Sequence, residues 1–382
     1  MSVSTSSRAP STAFLDLTRG VAALWVATAH AVMWGGNAIP DMLEPKKAVD
    51  LFMVVSGFLM FYTIDKATDR EPPGRWSTWR SFYLRRFLRI APAYYVALIL
   101  IVSAWPLVGP GIAQLQAMNP GKWANDHVYG PQFQSLGLRS LALHITFLFG
   151  LFPDLSFSDG LPDWSLSLEM QFYAIFPALY LLARRHFAFT CAVLALACLV
   201  FTRQYMAGVE RGSLPAFDEP SLILFNLPKF LVGALLYEAG RRHSLALLAL
   251  GAAILVAACR WYGVSGLFLF GLIGCAAWAW WRGLPDWAER GVRSRAVKLL
   301  AVTSYSLYLF HTIVIFTIGA PLLSFARSIG APLWAGQSAL VVAVLGISYP
   351  LAWIVFRTVE ERGTDAAKAL THPARPLAPP MA

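Results

Sequence analysis

Six side chains have the types and spacing to do chemistry: Arg19, His30, Asp50, Arg86, Arg89 and Glu169. Arg19 and His30 lie eleven residues apart in FLDLTRGVAALWVATAH. At about 100° per residue, eleven helical steps end roughly 20° beyond three turns, so both side chains share one face, ~16 Å apart along the axis. A neutral histidine can take a proton from a hydroxyl, and a nearby carboxylate raises its basicity and fixes its tautomer. Asp50 opens the run AVDLFMVVSGFLMFY, and Glu169 lies early in WSLSLEMQFYAIFPAL; both are expected near the depth of His30. Arg86 and Arg89, in RRFLRIAPAYY, share a helix face at i and i+3 and could grip a pyrophosphate or a phosphate monoester bidentately. Each group also has a plainer use. Arg19 could snorkel, His30 and Glu169 could join helices, Asp50 could cap one, and the arginine pair could anchor a membrane surface.

Long apolar runs must position these groups. The 382 residues are 57% hydrophobic and 14% charged, with mean hydropathy +0.55. Soluble domains carry roughly 25% charged residues, so several soluble domains are excluded. Runs of the length that crosses ~30 Å of hydrocarbon recur without period-2 alternation, which favours helices over a membrane barrel. The fold class is therefore all-α and polytopic. Ten spans are expected, near residues 12–34, 47–65, 87–108, 164–183, 187–203, 221–240, 244–260, 263–282, 297–319 and 333–357. With the N-terminus inside, 21 of the 31 Lys and Arg fall on the inner side, 8 on the outer, and Arg19 and Lys229 within spans. That asymmetry is the positive-inside pattern and places both termini in the cytoplasm. It also accounts for the net charge of +10 without nucleic acid.

The first run follows a polar start and lacks a small-residue cleavage site, so it is read as a retained helix. Residues 1–12 form a cytoplasmic segment, 13–362 the membrane domain, and 363–382 a disordered Pro-rich tail. The 110–163 stretch is the largest outer loop; within it 141–153 is apolar but too short to cross, and reads as re-entrant or interfacial. No internal repeat is evident. Cys191, Cys198, Cys259 and Cys275 all lie in apolar runs without paired or metal-like spacing, so no disulfide or zinc site is expected. An ionisable group within a span costs about 3 kcal/mol and needs a partner or a task; Lys229, near mid-membrane, could pair with a carboxylate, and the sequence assigns it no role. Tyr305 and His311 are six apart and fall on roughly opposite sides of their helix, so they need not serve one site. By depth, the arginines line the inner side, suited to an anionic donor, and His30, Asp50 and Glu169 gather toward the outer side.

The same motifs resemble the acyltransferase-3 family of bacterial membrane O-acyltransferases. FLDLTRGVAALWVATAH is similar to its opening Arg and His signature, AVDLFMVVSGFLM to its VDLFFVLSGFL-type helix, and RRFLRIAPAYY to its third-helix start. WSLSLEMQFYAIFPAL resembles WSLSVEEQFY, and TSYSLYLFH resembles SYSLYLWH, in order across residues 13–362. The closing VEERG loosely resembles an IERP ending, and Met170, Arg362 and Phe310 depart from the usual Glu, Pro and Trp. The resemblance implies transfer of an acyl group, often acetyl, from cytoplasmic acyl-CoA to a carbohydrate or glycoconjugate hydroxyl at a bacterial inner membrane, with no metal. His30 would be the catalytic base or an acylated nucleophile, Arg19 its partner, Arg86 and Arg89 the ligands of the CoA phosphates, and Asp50 and Glu169 supporting carboxylates. The rival reading is a transporter or flippase of a lipid-linked saccharide, which intramembrane polar groups would suit equally.

Overall fold

Within hydrocarbon every backbone donor and acceptor must be satisfied inside the chain, and the described residues meet that demand entirely with helices. The computed structural model describes residues 12–36, 39–68, 72–119 and 137–371. The helices are α1 (Ala13–Trp34), α2 (Pro45–Thr68), α3 (Trp76–Ser103), α4 (Trp105–Met118), α5 (Leu138–Ile145), α6 (Trp164–Ala183), α7 (Phe187–Glu210) and α8 (Ile223–Arg242). There follow α9 (Leu245–Ala258), α10 (Leu267–Arg282), α11 (Asp286–Val292), α12 (Arg295–Ser328), α13 (Leu333–Val355), a π-helical turn (Phe356–Glu360) and α14 (Glu361–Thr371). Eight of the described helical segments are long and apolar enough to cross a membrane. Of the ten spans expected, α1 falls below that hydropathy because it carries Arg19 and His30, and α9 has only 14 residues.

Small residues let α1 run through the middle of the bundle. Ala22, Ala23, Ala27 and Ala31 are fully buried on it, and it packs against α2, α12 and α13. α2 packs in turn against α8, backbone to backbone. A methyl group on Gly57 would collide with the Phe230 carbonyl, and one on Gly233 with the Val54 carbonyl. Beside that contact the buried Lys229 ammonium is paired with Asp50, which leaves neither charge bare. Asn226 Oδ1 also accepts from Lys229 at 2.9 Å, and Tyr262 donates to the second Asp50 oxygen at 2.7 Å. Lys229 thus has the carboxylate partner its position demands.

Several boundaries differ from the sequence reading, and α7 and α12 run on to Glu210 and Ser328, beyond residues 203 and 319. The third helix begins at Trp76, well before residue 87, because its first two turns are amphipathic and bury Trp79 and Phe82. It ends at Ser103, and Pro106, favoured in a first turn, starts the separate α4. The tail drawn from residue 363 begins as helix. Gly363 presses against the Leu88 carbonyl and Arg85 Nε donates to Thr371 Oγ1 at 3.0 Å, which lays α14 along α3. Residues 372–382 and 120–136 lie outside the described set. The 141–153 segment forms the short α5 and two 3-10 turns, none long enough to cross. It is tied down at its middle: Ser167 Oγ donates to the Phe147 carbonyl at 2.7 Å, and Ser221 Oγ to the Gly150 carbonyl at 2.8 Å.

Two substitutions check this packing. Gly233→Leu should cost more than the ~1–3 kcal/mol typical of overpacking, since it meets backbone and not a movable side chain; a sharp fall in the unfolding midpoint in detergent is expected. Asp50→Ala should cost about 3–5 kcal/mol by leaving a buried unpaired ammonium. Asp50→Leu combined with Lys229→Met should recover most of that loss in the same measurement.

Candidate active site

The described structure brings Arg19, Arg86, Arg89 and Glu169 to one connected cavity. Its wide part, about 540 Å³, lies between α1, α3, α12 and α14 and is lined by Arg85, Lys298 and Glu360 besides the three arginines. Arg19, Arg86 and Arg89 also line a narrow continuation of about 80 Å³, which runs past Ser56 and Glu169 to Tyr305, Tyr308 and Ser165. Helical phase explains the grouping: Arg86 and Arg89 project from one face of α3, and α1 presents Arg19 across from them.

The three guanidiniums are not equivalent. Arg86 Nη2 donates to Thr63 Oγ1 at 3.0 Å, and its guanidinium lies 5.8 Å from the Tyr173 ring centre. Arg19 and Arg89 form no hydrogen bond or ion pair with any described residue. Two cations that pair directly with none of the nearby carboxylates Asp16, Glu169 and Glu360, beside a third, make a site suited to an anion. Glu169 does not fill that role, because its Oε1 already accepts from Ser56 at 3.1 Å and from the Tyr173 hydroxyl.

At the head of the narrow part, Ser165 Oγ and Tyr308 Oη are 2.8 Å apart and close it off. The Tyr308 ring lies 6.2 Å from that of His311, one turn further along α12. There His30 meets His311: His30 Nδ1 and His311 Nε2 are 2.8 Å apart, with the rings nearly parallel. The protons can be assigned from the acceptors. His311 Nδ1 lies 3.2 Å from the Leu307 carbonyl oxygen, which only accepts, so this nitrogen carries the hydrogen. His311 Nε2 is then an acceptor and His30 Nδ1 its donor, which leaves His30 Nε2 with a free lone pair. His311 is fully buried, whereas His30 is half-buried. The arrangement is an oriented base or nucleophile.

The carboxylate expected beside His30 is therefore a second imidazole. Asp50 uses its oxygens on Lys229, Tyr262 and Cys259, and Glu169 lies lower, at the arginines. Depth along a span could not distinguish these outcomes, because the lysine that captures Asp50 comes from α8. The separation expected between Tyr305 and His311 is bridged by Tyr308. Steps of three residues drift by less than a quarter turn, so Tyr305 lines the cavity while His311 reaches His30. Sequence reasoning passed over Tyr308, Ser165 and Glu360. All three lay within motifs already singled out, Glu360 in the closing VEERG, but the π-helical turn that turns Glu360 inward leaves no simple trace in the sequence.

Comparison with known proteins bears on what such a cavity does. A family model described as an acyltransferase domain matches residues 12–353. BcsY of Komagataeibacter xylinus, described as a membrane-bound transacylase, is 29% identical over 376 residues, covering 93% of this chain and 85% of BcsY. The exopolysaccharide production protein ExoZ of Rhizobium meliloti (strain 1021) is 25% identical over 318 residues, covering 78% of this chain and 85% of ExoZ. No solved structure matches the chain. A multi-pass helical bundle, with a cationic cavity leading toward an oriented histidine and with that match over most of its length, belongs to the acyltransferase-3 family of membrane proteins.

Proposed function

We propose that the chain moves an acyl group, acetyl in the simplest case, from cytoplasmic acyl-CoA to a hydroxyl of an exported or cell-surface carbohydrate or glycoconjugate, in a bacterial inner membrane. The observation that carries this reading is the cavity with unengaged Arg19 and Arg89 at its wide end and the His30–His311 pair beyond its narrow end. The positive-inside count supports a cytoplasmic wide end, with both termini on that side. The name of ExoZ supports a polysaccharide acceptor.

In this mechanism Arg86 and Arg89 take the phosphates of the donor, and Arg19 adds a third positive charge facing them. The pantetheine arm follows α12 past Tyr305, and opening of the Ser165–Tyr308 bond admits the thioester. His30 Nε2 removes the proton of the acceptor hydroxyl. The oxygen forms a bond to the thioester carbonyl carbon, the carbon–sulfur bond breaks, and the departing thiolate takes the proton back from the imidazolium. His311 Nε2 holds the His30 Nδ1 hydrogen throughout, which fixes the ring and stabilises its cationic form. The Ser165 and Tyr308 hydroxyls, released from each other, are the donors at hand for the oxyanion. If the same Nε2 attacks the thioester first, an acyl-imidazole forms and the acceptor oxygen displaces it in a second step.

Purified protein in nanodiscs with radiolabelled acetyl-CoA tests the reading. His30→Ala should lose about 10²–10⁴ in turnover while still binding donor. His311→Ala should lower kcat without changing donor affinity. Arg86→Ala/Arg89→Ala should weaken binding by at least about tenfold, as expected for lost charge-assisted hydrogen bonds. Tyr308→Phe should reduce kcat by about 10–10³ if its hydroxyl serves the oxyanion. Label that stays on His30 after acid quench would select the acyl-imidazole route. Wild-type turnover by His30→Ala, or failure of the wild type to bind acyl-CoA of any chain length, overturns the proposal.

A further inference from the structure

A second cluster of buried polar groups lies outside the cavity and has no part in the transfer. His144 near the end of α5, Asp159 in the following loop and Asp163 just before α6 converge, each with 0% exposure. His144 Nδ1 lies 2.8 Å from the Ser140 carbonyl oxygen, closer than its 3.4 Å contact with Ser140 Oγ. A carbonyl only accepts, so Nδ1 carries the ring hydrogen and Nε2 is the bare nitrogen. That nitrogen faces Asp159 Oδ2 at 3.6 Å and Asp163 Oδ2 at 3.8 Å. Among the described residues, no hydrogen-bond partner reaches His144 Nε2, Asp159 Oδ2 or Asp163 Oδ1. Lone pairs aimed at one another in a buried space repel, and buried polar atoms are otherwise almost always satisfied.

The rest of each side chain is held in place. Leu161 N donates to Asp159 Oδ1 at 2.9 Å and Tyr94 Oη to Asp163 Oδ2 at 2.8 Å. The Phe149 ring stacks on the His144 imidazole with centroids 4.2 Å apart. A histidine whose far N–H goes to a backbone carbonyl, beside carboxylates that are themselves hydrogen-bonded, is the usual support shell of a metal ligand set. Asp163 also precedes α6 where an aspartate would ordinarily cap the helix, yet its side chain makes no capping bond. It forgoes a contact worth about 1 kcal/mol and turns into the cluster instead.

We propose that His144, Asp159 and Asp163 bind one divalent transition-metal ion of the zinc class, as a structural clasp. Two carboxylates and a neutral imidazole carry a charge of −2, which such an ion cancels. Ligands about 2.1 Å from a tetrahedral ion stand roughly 3.4 Å apart, close to the separations observed. The imidazole argues against calcium and magnesium, which take oxygen ligands. The clasp ties α5 and its loop to the start of α6, and through Tyr94 to α3. Ser165 is two residues from Asp163, so the clasp also steadies the head of the cavity. The competing occupant is a proton shared by the carboxyls, since burial and the neighbouring carboxylate push Asp163 well above the usual range.

The full chain, freed of any affinity tag and held in nanodiscs, is stripped with EDTA and titrated with Zn²⁺. Metal content after gel filtration and the unfolding midpoint are then read, with Co²⁺ as a spectroscopic substitute. One zinc per chain is expected, with a midpoint several degrees higher on rebinding and the intense visible bands of four-coordinate Co²⁺. His144→Gln and Asp159→Asn should each lose at least about a hundredfold in zinc affinity, beyond the loss typical of supporting residues. If stripped protein retains no zinc and its midpoint ignores the metal, the cluster holds a proton and the proposal fails. It also fails if both variants keep wild-type zinc content and Co²⁺ bands, or if Ca²⁺ is retained and Zn²⁺ is not. Should one variant not fold, the other variant and the wild-type Co²⁺ spectrum decide.

Discussion

A charge inside a hydrocarbon layer has to be matched where it stands, because no water can be drawn in cheaply to do so. The bundle is organised around that constraint. Asp50 and Lys229 cancel each other between α2 and α8, and Glu238 holds Arg241 and Arg242 at the end of α8. Glu169 is satisfied by two hydroxyls. Against this background Arg19 and Arg89 stand out because, with Asp16, Glu169 and Glu360 nearby, neither forms a direct ion pair or hydrogen bond with any described residue. The cavity has its meaning from that contrast: where Asp50 and Lys229 pair directly, these two guanidiniums face open space.

The same constraint separates structural from chemical roles among residues that look alike in sequence. Asp50 and Glu169 both begin apolar helices and both were plausible partners for a histidine. Only contacts from distant helices reveal that one locks the α2–α8 seam and the other sits among arginines. The histidine pair is a similar case. His30 Nδ1 and His311 Nε2 come from residues 281 positions apart, and their bond orders the protons of both rings. An imidazole in place of a carboxylate orients the base without placing a full negative charge beside it.

Much of this was legible beforehand, and what was not has a common cause. Apolar runs marked the helices, since the thickness of a bilayer sets their length. Depth along the spans put Arg19 with the arginine pair of α3, and the cost of burying an ammonium called for a partner or a task for Lys229. The choice of carboxylate was hidden, as were the Ser165–Tyr308 bond and the His144, Asp159 and Asp163 cluster. Each depends on which faces of separate helices meet, and periodicity within one helix carries no information about its neighbour. The cluster was hidden twice over, because its donors include no cysteine and span a stretch with little regular structure.

The glycine seam between α2 and α8 has a mechanical consequence. Two backbones in contact at Gly57 and Gly233, with an ion pair alongside, leave no slack for sliding or separation. The α2 wall of the narrow cavity, which carries Ser56, is therefore fixed. α12 is wedged just as closely, since a methyl group on Gly111 of α4 would collide with the Phe316 carbonyl, so passage beyond Ser165 and Tyr308 falls to rotation of side chains and not to a sliding helix.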